Sequence, residues 1–294
     1  MKRKTAADFD PRILALFDGY VHGAITKRDF LERAAKFSVG AAGALAAFNA
    51  LKPNYALARQ VAEDDPSIDV SWVEYPSPEG HGTVKGLMAK PIGEGPFGAV
   101  LVVHENRGLN PYIEDVVRRV AKAGYLALGP DGLSSLGGYP GNDDDGRVMQ
   151  RQLDRTMLLA DFFAGFEFLT DHSDSTGKVG AVGFCYGGSV CNALATAYPD
   201  MACSVPFYGR QASTEDVPGI KAPLMLHYAG NDERVNAGWP EYEAALQTAE
   251  ATFEAHFYEG ANHGFHNDTT PRYDSDAAAL AWERTLAWFE KYLA

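Results

Sequence analysis

Residues 180–190 read G-A-V-G-F-C-Y-G-G-S-V, an apolar run that ends on Cys185 among three glycines, Gly183, Gly187 and Gly188. With serine at the centre, this spacing would be the G-x-S-x-G elbow, a sharp strand-to-helix turn that holds one nucleophilic side chain out of the fold. The glycines fall where bulk would clash in such a turn. A helix starting just after Cys185 would favour its thiolate, because free N–H groups and the helix dipole attract negative charge. The competing reading is a glycine-rich bend around an inert buried thiol, the usual state of a free cysteine.

Outward from this stretch, short apolar runs alternate with segments of helical period. Strands are predicted over 99–103, 125–128, 179–184, 204–207, 224–228 and 253–257, and an antiparallel hairpin over 70–75 and 83–89. Helices are predicted over 112–123, 148–169, 189–198, 239–248 and 277–292. This alternation implies an α/β fold, a mainly parallel central sheet with helices on both faces. Ligands in such sheets bind beyond the carboxyl ends of the strands.

Three other strand ends carry reactive residues. Asp232 lies in G-N-D-E-R-V (230–235), and His263 lies in G-A-N-H-G-F (260–265). The order nucleophile, acid, histidine is that of an α/β-hydrolase triad, in which a carboxylate-oriented histidine moves the protons. H-E-N-R-G-L (104–109) follows the first parallel strand. There the amide of Asn106, with that of Tyr186 after the nucleophile, would form an oxyanion hole. Glu105 is then a carboxylate close to the thiol; otherwise it pairs with Arg107 or Arg118. His104 and His227 read as core histidines, His266 as an alternative base three residues past His263, and Cys191 and Cys203 as packing residues. With no H-E-x-x-H or C-x-x-C spacing, neither a metal nor another cofactor is expected.

The 294 residues carry a net charge of −13, which argues against nucleic acid as a partner. Residues 1–58 hold nine of the 26 basic and five of the 39 acidic residues, leaving −17 on residues 59–294. The chain therefore divides into a 1–58 extension and a 59–294 core. In the extension, T-K-R-D-F-L (26–31), the weakly apolar stretch 34–48 and Ala56-Leu57-Ala58 resemble a twin-arginine export signal with Lys27 in place of the first arginine. That reading implies a periplasmic protein. The alternative is a retained helical extension on a cytoplasmic one, with Thr26 and Asp29 as a capping box. The stretch 34–48 is too short for stable membrane insertion, since a span needs about 20 apolar residues.

The four motifs, in this order, resemble the dienelactone hydrolase (carboxymethylenebutenolidase) family over residues 70–294. The resemblance implies an α/β-hydrolase fold with a Cys185–His263–Asp232 triad, and a Glu105 that contacts the resting thiol and helps generate the thiolate. It also implies two arginines that hold a substrate carboxylate; here Ser134 or Ser135 and Asn267 stand in those places, with Arg107 and Arg210 as candidate replacements. The expected activity is hydrolysis of a small ester or lactone through a thioester, on a neutral substrate because the clamp is missing and the core is acidic. A thioesterase, a phosphotriester hydrolase with the same triad, or a non-catalytic binding protein of this fold are the rival readings. A homodimer is compatible with the sequence.

Overall fold

The computed structural model describes residues 3–57 and 59–294. Three helices come first: α1 (Pro11–Val21), α2 (Lys27–Ala34) and α3 (Gly40–Leu51). They share a small core of their own, in which Phe30, Ala34, Phe48 and Leu51 are fully buried. Each start is signalled locally. Asp10 accepts from the Arg12 amide ahead of Pro11, and Thr26 and Asp29 form the expected capping box. The apolar stretch 34–48 is not one helix. Residues 35–39 break it, Gly40 takes φ +61°, and the two arms meet at 117°. Among the described residues no single helix is long and apolar enough to cross a membrane. The Ala56-Leu57-Ala58 pattern ends at Ala58, outside the described residues.

The core begins with the hairpin β1 (Ile68–Ser77) and β2 (Gly82–Pro91), followed by β3 (Phe97–Val103), α4 (Pro111–Lys122) and β4 (Leu126–Pro130). Then come α5 (Asp143–Gln152), α6 (Arg155–Thr170), β5 (Ser175–Phe184), α7 (Tyr186–Ala197), β6 (Cys203–Phe207) and β7 (Leu224–Ala229). The short α8 (Glu233–Asn236), α9 (Trp239–Thr248), β8 (Phe253–Tyr258) and α10 (Ser275–Leu293) complete the chain. Eight described strands form one sheet in the order β1-β2-β4-β3-β5-β6-β7-β8. β1 and β2 are antiparallel at one edge, and the pairs from β4 across to β8 are parallel. Two apolar layers cover the sheet's two faces, so β3, β4, β6 and β7 are buried on both sides. This is an α/β-hydrolase fold. The predicted helix 148–169 is two helices, because the Asp154 carboxylate caps a new start by accepting from Thr156 and Met157.

Candidate active site

Cys185 stands between β5 and α7 at φ +56° and ψ −110°, a left-handed value that a residue with a side chain holds only in a strained turn. The glycines make that turn possible. A Cβ on Gly183 would lie 2.1 Å from the Gly187 carbonyl oxygen, and one on Gly187 would lie 2.2 Å from that of Val103. The Cys185 amide donates to Phe207 O at 3.0 Å, pinning the elbow to β6. Asp232 caps α8 just beyond β7, and its Oδ2 lies 2.5 Å from Nδ1 of His263, in the loop after β8. His263 Nε2 is buried with no hydrogen-bond partner. The backbone amides of Asn106 and Tyr186 donate to no backbone acceptor among the described residues. Both residues line the cleft that holds the sulfur.

A residue that sequence reasoning missed completes this cluster. His22, capping the C-terminus of α1, places Nε2 3.4 Å from Cys185 Sγ. Its ring meets that of His263 edge to face, with centroids 4.7 Å apart. The sulfur and one nitrogen from each histidine lie within 4.8 Å of one another. No motif signals His22. The only trace is Asp18 four residues earlier, one helical turn away on the same face.

These neighbours set the charges. Burial alone would raise the Cys185 thiol, but the imidazoles of His263 and His22 outweigh it and hold the pKa well below the ordinary thiol value. Burial would likewise push His263 down, yet the sulfur and the Asp232 carboxylate carry it up to about 10. Both shifts favour a thiolate beside an imidazolium. Alkylation by iodoacetamide tests this directly. Cys185 should react at pH 6 within about threefold of its rate at pH 8, whereas an ordinary thiol loses about tenfold per pH unit below its pKa. A tenfold-per-unit climb at Cys185 would show that the thiol is protonated. Cys191 and Cys203 are fully buried and should stay unmodified in the folded protein.

Two expectations are corrected. Glu105 is buried and takes the alternative partner, Arg107; among the described residues no hydrogen bond joins it to Cys185, and His22 makes the contact with the thiol instead. Glu105 Oε2 accepts from Asn267 Nδ2 at 3.0 Å and pairs with Arg107 at 3.1 Å. Arg107 is itself buried between Glu105 and Asp143, 2.9 Å from the latter, and does not line the cleft. Its guanidinium balances two buried carboxylates and is not free to bind substrate. The two core histidines are buried and partnered, His104 accepting from the Gly132 amide and His227 meeting Tyr258 and Thr285; His266, the alternative base, is buried against Tyr112 instead.

The cleft beside Cys185 has a volume of about 580 Å³. Arg151, Arg155, Arg210 and Arg234 line it, and no carboxylate does. Arg210 was foreseen as a candidate; the other three were not, because nothing in the sequence brings Arg151 and Arg155 on neighbouring helices, or the distant Arg234, to Cys185. On the opposite side of α1 a second opening, about 590 Å³, also reaches His263 and is lined by Asp18, Asp232 and Glu233. The extension thus lies across the site and divides access to it.

An elbow cysteine, an oriented histidine and a strand-end carboxylate on this sheet define an α/β-hydrolase site. The chain belongs to the dienelactone hydrolase family, whose profile matches residues 84–293. A second profile, described as YqhI-like, matches residues 1–36. The chain is 67% identical over 114 residues to the Escherichia coli protein named "Putative hydrolase fragment YghX", covering 38% of this chain and 97% of that one. It is 29% identical over 246 residues to a "Putative carboxymethylenebutenolidase" of Saccharolobus solfataricus, covering 71% of this chain and 94% of the relative. The crystal structure titled "Putative Dienelactone Hydrolase" from Klebsiella pneumoniae superposes with a TM-score of 0.66 at 25% identity, over 76% of this chain and all of that one.

Proposed function

We propose that this dienelactone hydrolase-like enzyme cleaves an ester or lactone that carries a negative charge, with Cys185 as nucleophile. The observation that carries the reading is a cysteine on a strained elbow, close to a histidine that a buried carboxylate orients. Sγ attacks the carbonyl carbon, and the Asn106 and Tyr186 amides receive the developing oxyanion, a contribution of about 10²–10³ in rate per donor in such sites. The C–O bond breaks, the leaving oxygen takes a proton, and a thioester remains on Cys185. Water then attacks with His263 as base and Asp232 holding its ring, the C–S bond breaks, and the thiolate returns.

The charge of the substrate follows from the cleft. The expectation of a neutral substrate rested on net charge and two absent arginines. Local field outweighs net charge at contact distance, because screening removes interactions beyond about 8–10 Å. Four arginines without a carboxylate among them favour a carboxylate or phosphate group next to the scissile bond.

One experiment tests both parts: a carboxylate-bearing aryl ester and its methyl-esterified partner, mixed rapidly with enzyme. We expect one equivalent of phenol in a burst, an acyl adduct on Cys185 by mass spectrometry, and kcat/KM at least tenfold higher for the free acid, lost in Arg210→Ala or Arg155→Ala. An adduct elsewhere would overturn the nucleophile. A preference for the methyl ester would restore the neutral substrate.

A further inference from the structure

The sulfur of Cys185 is approached from two sides by matching constructions. On the core side, Asp232 Oδ2 meets His263 Nδ1 at 2.5 Å. On the extension side, Asp18 Oδ1 lies 3.2 Å from His22 Nδ1, whose other nitrogen is the one 3.4 Å from the sulfur. The i,i+4 spacing on α1 creates the second pair, and the Asp18 carbonyl, 2.9 Å from the same Nδ1, fixes the ring. A hydrogen bond at Nδ1 leaves Nε2 as the nitrogen that exchanges a proton with the sulfur.

The core holds this second pair in place as firmly as the first. Arg272 and Arg234 approach the Asp18 carboxylate at 3.5 and 3.7 Å. Asn106, whose amide faces the cleft, donates its side-chain Nδ2 to Val21 O at 2.9 Å, tying the end of α1 to the loop after β3. Gly23 sits under Arg151 so closely that a Cβ there would lie 2.6 Å from its Nη2. Further out, Tyr20 and Lys52 meet Asp144 at 2.7 and 2.6 Å, and the Asn54 amide donates to Thr269 O at 2.8 Å. A segment with these contacts is a component of the site.

We infer that Asp18–His22 is a second acid–base pair, supplied by the retained N-terminal extension, and that His22 protonates the leaving group. This rests on Cys185 being the nucleophile. The two histidines face different spaces. His22 lines only the arginine cleft, where the substrate and its leaving group lie, whereas His263 also lines the second opening, from which water can come. His22 Nε2 therefore holds a proton given up by the sulfur and passes it to the leaving oxygen as the C–O bond breaks, releasing a neutral alcohol. Acylation removes the negative charge from sulfur, so His263 releases its proton to solvent and its neutral ring then accepts one from the attacking water, while the proton of the acid product recharges His22. Hydrolysis of the thioester returns the electron pair to sulfur. The net change is ester plus water to alcohol, carboxylate and a proton. Arg234, 3.2 Å from His22 Nε2 in the resting site, is one of the four cleft arginines, so an anionic substrate draws it away from the ring.

Leaving-group dependence distinguishes this role from a structural one. A p-nitrophenolate departs without a proton; an ethoxide does not. In the full-length protein, His22→Gln should lower kcat/KM for an ethyl ester about 10²-fold more than for the matching p-nitrophenyl ester, the usual scale of general acid catalysis, the loss on the latter reporting only the weaker thiolate left by one imidazole fewer. Asp18→Asn should show the same selectivity with a smaller loss, and provides the test should His22→Gln fold poorly. Equal losses on both esters in the folded variants would make the pair structural, and unchanged kinetics on both would remove it from the reaction. Either result would overturn the inference. The burst on wild type with the p-nitrophenyl ester reports Cys185 alone, so failure of the nucleophile and failure of His22 are read separately.

Discussion

Replacing Cys185 by alanine is expected to abolish turnover, by roughly 10⁴-fold or more, while leaving the fold intact. Removing a nucleophile collapses a unit whose members depend on one another, and the residual rate is that of oriented binding alone. The fold should tolerate the change because the strain at φ +56° is imposed by the crossing of β5 and α7, which alanine can also satisfy. The measurement is kcat/KM on an aryl ester together with near-UV circular dichroism. Retention of more than a few per cent of turnover in a folded variant would remove Cys185 from the mechanism. The same experiment separates an enzyme from a non-catalytic binding protein of this fold, which would show no burst in either form.

The second large effect is expected at His263, and it should exceed that at Asp232. His263→Ala removes the group that moves a proton in each thioester hydrolysis, so kcat should fall by roughly 10³-fold or more. Asp232→Asn keeps the ring in place with a weaker partner and should cost about tenfold less. Acid should act differently on the two. Burial opposes ionisation of Asp232, but the imidazolium of His263 lowers its pKa below the ordinary carboxylate value. A depressed carboxylate stabilises the site above its unfolded pKa and loses that contribution only as pH falls through the folded one. Activity in the wild type should therefore persist to lower pH than in Asp232→Asn. A common acid limb in both proteins would show that Asp232 is not the partner that matters.

Much of this was legible in the sequence because it is local. The elbow is a run of glycines around one cysteine, each residue proposed for the triad follows its own apolar strand, and the two amides proposed for the oxyanion lie next to recognisable motifs. The helix break at Asp154 is also local, but periodicity across residues 148–169 hides it. What escaped was everything assembled at long range. Arg151, Arg155 and Arg234 are ordinary surface residues until α5, α6 and α8 bring them to one cleft. Arg107 looked available because only one of its two buried carboxylate partners, Glu105, stands in H-E-N-R-G-L, and the other, Asp143 on α5, leaves no trace there. Most of all, Asp18 and His22 lie in a segment whose composition resembles a leader. A weakly apolar, basic N-terminus and a docked three-helix cap have much the same composition, and the contacts with Cys185, Asp144 and Arg272 leave no trace in it.

The position of α1 against loops from the far end of the chain has a consequence for how the protein is made. Asp18 and His22 leave the ribosome first, whereas Asp232, His263 and Arg272 are among the last residues to emerge. The three N-terminal helices can gather early around Phe17, Phe30 and Phe48, since that small nucleus needs nothing downstream. Their docking partners do not exist until translation is almost over. Through most of synthesis Cys185 therefore has neither imidazole beside it, and its sulfur is an unarmed thiol. On the proposed mechanism the sulfur gains both imidazoles only when α1 has met the loop after β8 over it, so the nascent polypeptide is spared a thiolate while it is least able to shield one.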